Sequence, residues 1–194
     1  MCHSDGVVLP TLQTPRLVLR PLRMSDAPLI AELAGTRAVV DTTLNIPYPY
    51  RPEMAENWIS AHEESFVSGR SVILAITARG LESEVLGAIS LQILRAHEHA
   101  ELGYWLAEPH WNQGYVTEAA QEMIRYGFET LALHRIQSHH FVRNTASGRV
   151  MQKIGMRHEG RRREIYKKWG AYEDCDYYGL LRKEYLAQKA EHPA

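Results

Sequence analysis

The stretch "WNQGYVTEAA" (111–120) sets a glycine directly before an alanine-rich helical run. A helix N-terminus exposes N–H donors without intrahelical acceptors and carries about half a positive charge, so it attracts phosphate. Gly114 has no side chain to keep an anion away from the backbone. The same pattern also serves as plain turn punctuation. Rival phosphate signatures are absent: no G-x-G-x-x-G follows a strand, and no G-x-x-x-x-G-K-[ST] occurs. Ten histidines invite a metal reading. The pairs in "HEHAE" (97–101) and "SHH" (138–140) nevertheless lack the Cys/His spacing of a zinc site, so no metal is expected. His97 and His99 read as a polar turn. Cys2 and Cys175 form neither a disulfide framework nor a metal motif, which indicates a reducing compartment. Cys175 reads as a small core hydrophobe.

These groups have to be positioned by a fold, and 194 residues suit one domain. An apolar fraction of 45% supplies one substantial core. The net charge of −1 gives no field that would collect nucleic acid or a membrane surface. "MCHSDGVVLP" has no basic and apolar halves of a signal peptide, and no apolar run approaches the roughly 20 residues of a bilayer span. A cytoplasmic protein is expected.

The hydrophobic period switches along the chain. "RLVLRPL" (16–22) alternates as a strand, and "SDAPLIAELAG" (25–35) reads as a helix with Ser25 or Asp26 as N-cap and Gly35 as stop. "TTLNIPYPY" is loop, and residues 51–69 read as one helix, with Pro52 near its start and Gly69 past its end. Residues 71–77, 84–94 and 99–107 read as an antiparallel meander. A helix over 117–133 places Ala120, Ile124, Phe128 and Leu131 on one stripe. Residues 135–142 read as a strand, and 144–155 as a short helix capped by Asn144 and ended by Gly155. The C-terminal third reads as two strands about Gly170, including the basic run 160–170, a solvated face or a steering surface for an acidic partner. This predicts an α+β domain over residues 11–186, with a flexible segment 1–10 and a tail 187–194.

"GYWLAEPHWNQGYVTEA" followed by "HRIQSHHFVRNTASGRVMQKIGM" closely resembles the GNAT N-acetyltransferase superfamily, nearest its RimJ/RimL-type branch. "TPRLVLRPLRMSDA" and "YEDCDYYGLLRKEY" resemble that branch's first strand and helix and its last strand. The resemblance implies a mixed, mostly antiparallel twisted sheet of six to seven strands, about four flanking helices, and a splayed central parallel strand pair. It implies acetyl-CoA as cosubstrate and a primary amine as acceptor, either a protein N-terminal amine or a small molecule. An acyl-CoA-binding sensor or scaffold without turnover is the alternative. A homodimer is common in the branch.

The resemblance also assigns residues. Gln113, Gly114, Tyr115, Val116 and Thr117 fall on the loop that wraps the pyrophosphate with backbone amides. The strand at Tyr104, Trp105 and Leu106 would pair with the pantetheine arm as an added strand. Asn144 matches the contact to the pantetheine amides, and it also fits a helix cap. Ser147 would hydrogen-bond the cofactor, while Arg149 and Lys153 are placed for its 3′-phosphate or are plain surface cations.

Acyl transfer needs an acceptor for the amine proton and stabilisation of an oxyanion. "AELGYWL" matches the branch pattern and makes Glu101 the base, directly or through water. The family's tyrosine acid is replaced by Met151, which leaves Ser147 as the substitute. A backbone N–H freed by a bulge near Tyr104 to Leu106 would hold the thioester oxygen. His140 shares parity with Ile136 and Ser138 and is a second base candidate. Tyr48 and Tyr50 are candidates to line the acceptor pocket.

Overall fold

The computed structural model describes residues 8–191. Eight strands form a single sheet: β1 (Leu12–Gln13), β2 (Leu17–Pro21), β3 (Ser71–Ala78), β4 (Leu81–Leu94), β5 (His99–Leu106), β6 (Arg135–Phe141), β7 (Arg157–Lys168) and β8 (Ala171–Leu181). The spatial order is β1-β2-β3-β4-β5-β6-β8-β7. Every neighbouring pair is antiparallel except β5 and β6. The helices are α1 (Ala27–Ala34), α2 (Arg37–Thr42), α3 (Pro52–Ser60), α4 (His62–Val67), α5 (Tyr115–Glu129), α6 (Thr145–Lys153) and α7 (Arg182–Glu191). The expected α+β sheet with its central parallel pair is present, with more strands and more helical segments than expected.

Two apolar clusters cover the two faces. On one face α5 and α6 bury Ala120, Met123, Phe128 and Met151 against Leu74, Leu91, Leu102 and Ile136. On the other, α1 and α3 bury Ile30, Ala34, Ala55 and Ile59 against Ala75 and Val85. Gly127 lets α5 lie close to the sheet, since a Cβ there would stand 2.7 Å from Ile136 Cδ1. The predicted stripe holds at Ala120, Ile124 and Phe128, while Leu131 lies past the helix end and packs there half-buried.

Local differences have local causes. The 51–69 helix is interrupted at Ala61, which ends α3 and starts α4. Residues 37–42, with no assignment from the pattern, form α2 because Thr36 accepts the Val39 N–H as N-cap. Asp26 does not cap α1 with its side chain; it accepts the Arg23 N–H and forms a buried two-pronged pair with Arg20 at 2.8 and 3.0 Å. The expected tail from 187 is helical through Glu191, because α7 is anchored upstream: Tyr185 stacks on Phe128 and donates to Glu129.

His62, at the start of α4, is 5% exposed and finds no hydrogen-bond partner for either ring nitrogen. Burial pushes its pKa down to about 4. Above pH 6.5 the ring is neutral folded and unfolded, so it has no effect. As pH falls below 6.5 the unfolded chain takes up a proton that the folded chain refuses, and stability is lost down to pH 4. Denaturant titrations of the wild type and His62→Leu at pH 7 and pH 4 should differ in pH dependence by about 3 kcal/mol. Equal slopes would show that His62 is not buried neutral.

Candidate active site at the strand divergence

The parallel ladder between β5 and β6 has only three pairs, ending at Glu101↔Gln137. Beyond it both strands continue and separate. Ala107 N–H donates to Leu86 O on the β4 side. Alternation along that ladder turns the backbone of Leu102, Tyr104 and Leu106 the other way, toward the gap. Two of the three carbonyls are satisfied there: Ser138 Oγ donates to Leu102 O at 2.8 Å, and Trp111 Nε1 donates to Leu106 O at 2.7 Å. The bulge expected near Tyr104 to Leu106 does not occur. The β4–β5 register runs unbroken from Gly87↔Leu106 to Leu94↔His99, and the irregularity falls between β3 and β4 near Leu86. Divergence, not a bulge, frees the N–H groups of Tyr104 and Leu106.

A cavity of about 780 Å³ fills the gap and reaches through the sheet. Strand parity sorts its lining. Tyr104, Ser138 and His140 belong to the α5/α6 side, with Val116, Asn144, Ser147 and Arg149. Glu101, Gly103, Trp105 and His139 belong to the α1/α3 side, with Ile46, Trp58 and Tyr166.

On the α5/α6 side, Gly114 is the N-cap of α5 with φ +80, a conformation that favours glycine. The first helical bond runs from Glu118 N–H to Gly114 O, which leaves the N–H groups of Tyr115, Val116 and Thr117 without helical acceptors. A Cβ on Gly114 would come no closer than 3.4 Å to Arg16 Nη2, so the space before the helix is open. These donors, with Arg149 and Lys153 on the same cavity wall, fit the polyanionic end of a CoA thioester. Gln113 lies off this wall: its side chain donates to Pro109 O and its carbonyl accepts from Arg16. Asn144 caps α6, its Oδ1 accepting the Ser147 N–H at 3.2 Å, and the amide nitrogen remains available to donate. Both readings of Asn144 are compatible.

Ser147 Oγ lies 2.7 Å from the Tyr104 hydroxyl. Burial, opposed by this bond, pushes the Tyr104 pKa up to about 12, so the phenol stays protonated. Met151, at the position of the family's tyrosine acid, is buried in the core. His140 lines the cavity, its Nδ1 2.8 Å from Phe141 O, while Nε2 is buried without a partner.

On the opposite side Glu101 is half-exposed, and His139 Nδ1 stands 3.4 Å from its Oε1, without hydrogen-bond geometry. The His139 ring stacks with Tyr166 and Tyr177, their centroids 5.4 and 5.0 Å away. Burial lowers its pKa against the opposing pull of Glu101, which keeps the imidazole neutral near pH 7. His139 is not among the candidates from sequence; it shares strand parity with Gln137, the ladder partner of Glu101. Tyr48 and Tyr50 lie off the cavity wall. Tyr48 is exposed against Trp169 and Arg37, and Tyr50 packs on the second apolar cluster. Asn45 and Ile46 from the same loop line the cavity instead.

A mixed sheet opened at one parallel pair, with a helix N-terminus aimed into the opening, defines an acyl-CoA-type site. A family model described as "Acetyltransferase (GNAT) domain" matches residues 16–157, and the chain belongs to that family. The chain is 29% identical over 176 residues to the uncharacterized N-acetyltransferase p20 of Bacillus licheniformis, covering 90% of this chain and 98% of that one. It is 25% identical over 172 residues to a spermidine N(1)-acetyltransferase of Vibrio cholerae, covering 88% and 96%. The fold is shared with RimL, a ribosomal L7/L12 alpha-N-protein acetyltransferase solved with coenzyme A, at TM-score 0.80, 22% identity and 89% and 98% coverage. The protein is thus an acetyl-CoA-dependent acyltransferase acting on an amine. No described helix is long and apolar enough to cross a membrane.

Gly114→Ala forces a side chain into left-handed backbone and should cost about 1 kcal/mol in stability. It should also weaken acetyl-CoA binding in calorimetric titration, because the α5 donors rotate away from their open face. Gly80→Ala, at a turn glycine of φ +85 with open space around it, should cost a similar stability without changing affinity. Equal affinities in all three proteins would remove the cradle.

Proposed function

We propose that the protein moves the acetyl group of acetyl-CoA to a primary amine by direct attack, with Glu101 receiving the amine proton. The observation that carries this reading is the opening of the β5–β6 pair immediately past Glu101. It puts a carboxylate at one side of the gap and unpaired helix N–H donors at the other. The amine comes from the α1/α3 side, either as a small molecule or as a protein N-terminus.

Acetyl-CoA supplies, when bound, the thioester carbonyl to be attacked. The N–H groups of Val116, Thr117 and Tyr115 hold the pyrophosphate at Gly114, with Arg149 contributing charge. Tyr104, Trp105 and Leu106 offer the backbone edge for the pantetheine arm, and Asn144 donates to it through its side-chain amide. The N–H of Tyr104 or Leu106 faces the region where negative charge develops, so a fixed dipole stabilises it without reorganisation.

Glu101 accepts the proton from the attacking nitrogen as the new C–N bond forms. Neutral His139 beside it adds no competing positive charge. The C–S bond breaks with its electron pair on sulfur, and Ser147 Oγ donates a hydrogen bond to the departing thiolate. The Tyr104 hydroxyl fixes the serine rotamer for that task, which answers the absence of a tyrosine at position 151. Turnover separates this enzyme from the rival binding-only reading, and family membership favours turnover.

Saturating acetyl-CoA, at about 100 times its Kd, should stabilise the protein by about 2.7 kcal/mol in thermal unfolding. Glu101→Gln should lower kcat/KM for the amine by about 10²–10⁴ while leaving acetyl-CoA affinity unchanged. An unchanged kcat/KM would remove Glu101 as the base. Ser147→Ala should lower kcat by roughly tenfold, the worth of one hydrogen bond to a charged atom. A kcat within twofold of wild type would assign the serine to cofactor binding alone.

A further inference from the structure

The α1/α3 side of the cavity has a floor, walls and a single charged end. Its floor consists of small residues in register: Ala88 pairs with Trp105, and Ser90 with both Ile73 and Gly103. Gly103 has room for a Cβ only at 3.2 Å from Ser90 Oγ, so this depth exists because those side chains are small. The walls are Ile46, Trp58, Trp105 and Tyr166. The first three pack against the second apolar cluster, and the Trp58 ring meets His62 edge-on at 4.5 Å. The walls are therefore fixed in place rather than mobile.

Among the described residues that line the cavity, Glu101 is the one carboxylate. The cavity's lysine and arginine, Lys153 and Arg149, both belong to the α5/α6 side. Each additional ammonium of a polyamine would find no second carboxylate on the wall, only the faces of Trp58 and Trp105. A free amino acid would find no lysine or arginine among the residues lining this side, the nearest being Lys168 behind Leu44.

A peptide N-terminus is disfavoured for a related reason. Its first amides need polar partners, and the nearby threonine hydroxyls have already committed their protons, leaving no O–H to meet a peptide carbonyl. Thr42 and Thr43 both donate to Val39 O, at 3.0 and 3.1 Å. Asn45 lines the cavity as an exposed residue.

We propose that the acceptor is a primary monoamine with an apolar, ring-sized body, its nitrogen at Glu101 and its body between Trp58, Trp105 and Tyr166 over the Ala88–Ser90–Gly103 floor. This rests on the acetyl-transfer reading and narrows it to one class of amine. Aromatic walls of this kind reward a ring beyond its buried area. A pocket with one ionic partner sets orientation by the amine and selectivity by shape.

Wild-type enzyme with saturating acetyl-CoA is to be assayed for CoA thiol release with phenethylamine, spermidine and an alanine-initiated tetrapeptide. The kcat/KM for phenethylamine should exceed both others by at least about tenfold, the range in which pocket fit discriminates substrates. Spermidine or the peptide equalling phenethylamine would overturn the class of acceptor while leaving acetyl transfer intact. Thermal stabilisation by acetyl-CoA with no thiol release for any acceptor would instead overturn the transfer reading, and this proposal with it. Trp58→Ala should raise the phenethylamine KM about tenfold with acetyl-CoA affinity unchanged. An unchanged KM in a variant that still binds acetyl-CoA would remove the proposed seat.

Discussion

Everything in the site depends on the end of hydrogen bonding between β5 and β6 after Glu101↔Gln137. An interior parallel pair that stops pairing leaves backbone donors and acceptors stranded, and a buried unpaired group costs about 1–3 kcal/mol. The chain meets that cost with side chains drawn from elsewhere. Ser138 closes the carbonyl of Leu102, and the Trp111 indole closes that of Leu106. Trp111 thereby fastens the loop before α5 to the end of β5, so the helix N-terminus and the opened strand share one rigid frame. The N–H groups of Tyr104 and Leu106 stay directed into the gap, where a ligand can use them.

The same divergence gives the site two sides with separate tasks. Alternation along β5 sends Leu102 and Leu106 to the α5/α6 core and Glu101, Gly103 and Trp105 to the other face. Because the gap lies between strands, a group bound on one face can touch a group bound on the other. Tyr104 with Ser147 faces one way and Glu101 with His139 faces the other, and the slot lies between them. In an unbroken sheet these two pairs would be separated by the backbone itself.

Legibility in the sequence followed sequence distance. Gly114 before α5 and Asn144 before α6 were readable because a turn, its φ and the following helix lie within a few residues. The three-strand meander was readable for the same reason. The acetyl-CoA expectation, and the roles proposed for Glu101, Ser147 and the Asn144 amide, came only through resemblance to a family, since nothing in their local spacing prescribes a slot. Contacts that join distant segments were not readable. The Tyr104–Ser147 pair spans 43 residues, and the stacking of His139 with Tyr166 and Tyr177 depends on the order in which β6, β8 and β7 pair. The bulge expectation failed because splay frees an N–H without an extra residue. The tyrosine expectation failed because Tyr50 satisfies a core cluster and Tyr48 a surface stack, leaving Ile46 to face inward.

The acceptor side is assembled from still more remote pieces than the cofactor side. The loop carrying Leu44 to Ile46 follows α2, and α2 is held from the far end of the sheet. Arg143 donates to the Asp41 carboxylate and to its carbonyl, each at 2.7 Å, while Trp169 Nε1 donates to the same carboxylate at 2.9 Å. Arg37 lies 3.8 Å over the Trp169 ring. Exposed pairs of this kind contribute little singly, about 0–1 kcal/mol, but a shared network positions a short helix that its own six residues could not hold. The α5 cradle, by contrast, is built from consecutive residues and carried by the largest apolar cluster. Substitutions in the β7–β8 turn or α2 can therefore reshape the α1/α3 side of the cavity without disturbing the N-terminus of α5. That separation is the physical reason one fold can keep a single cosubstrate while its acceptor changes.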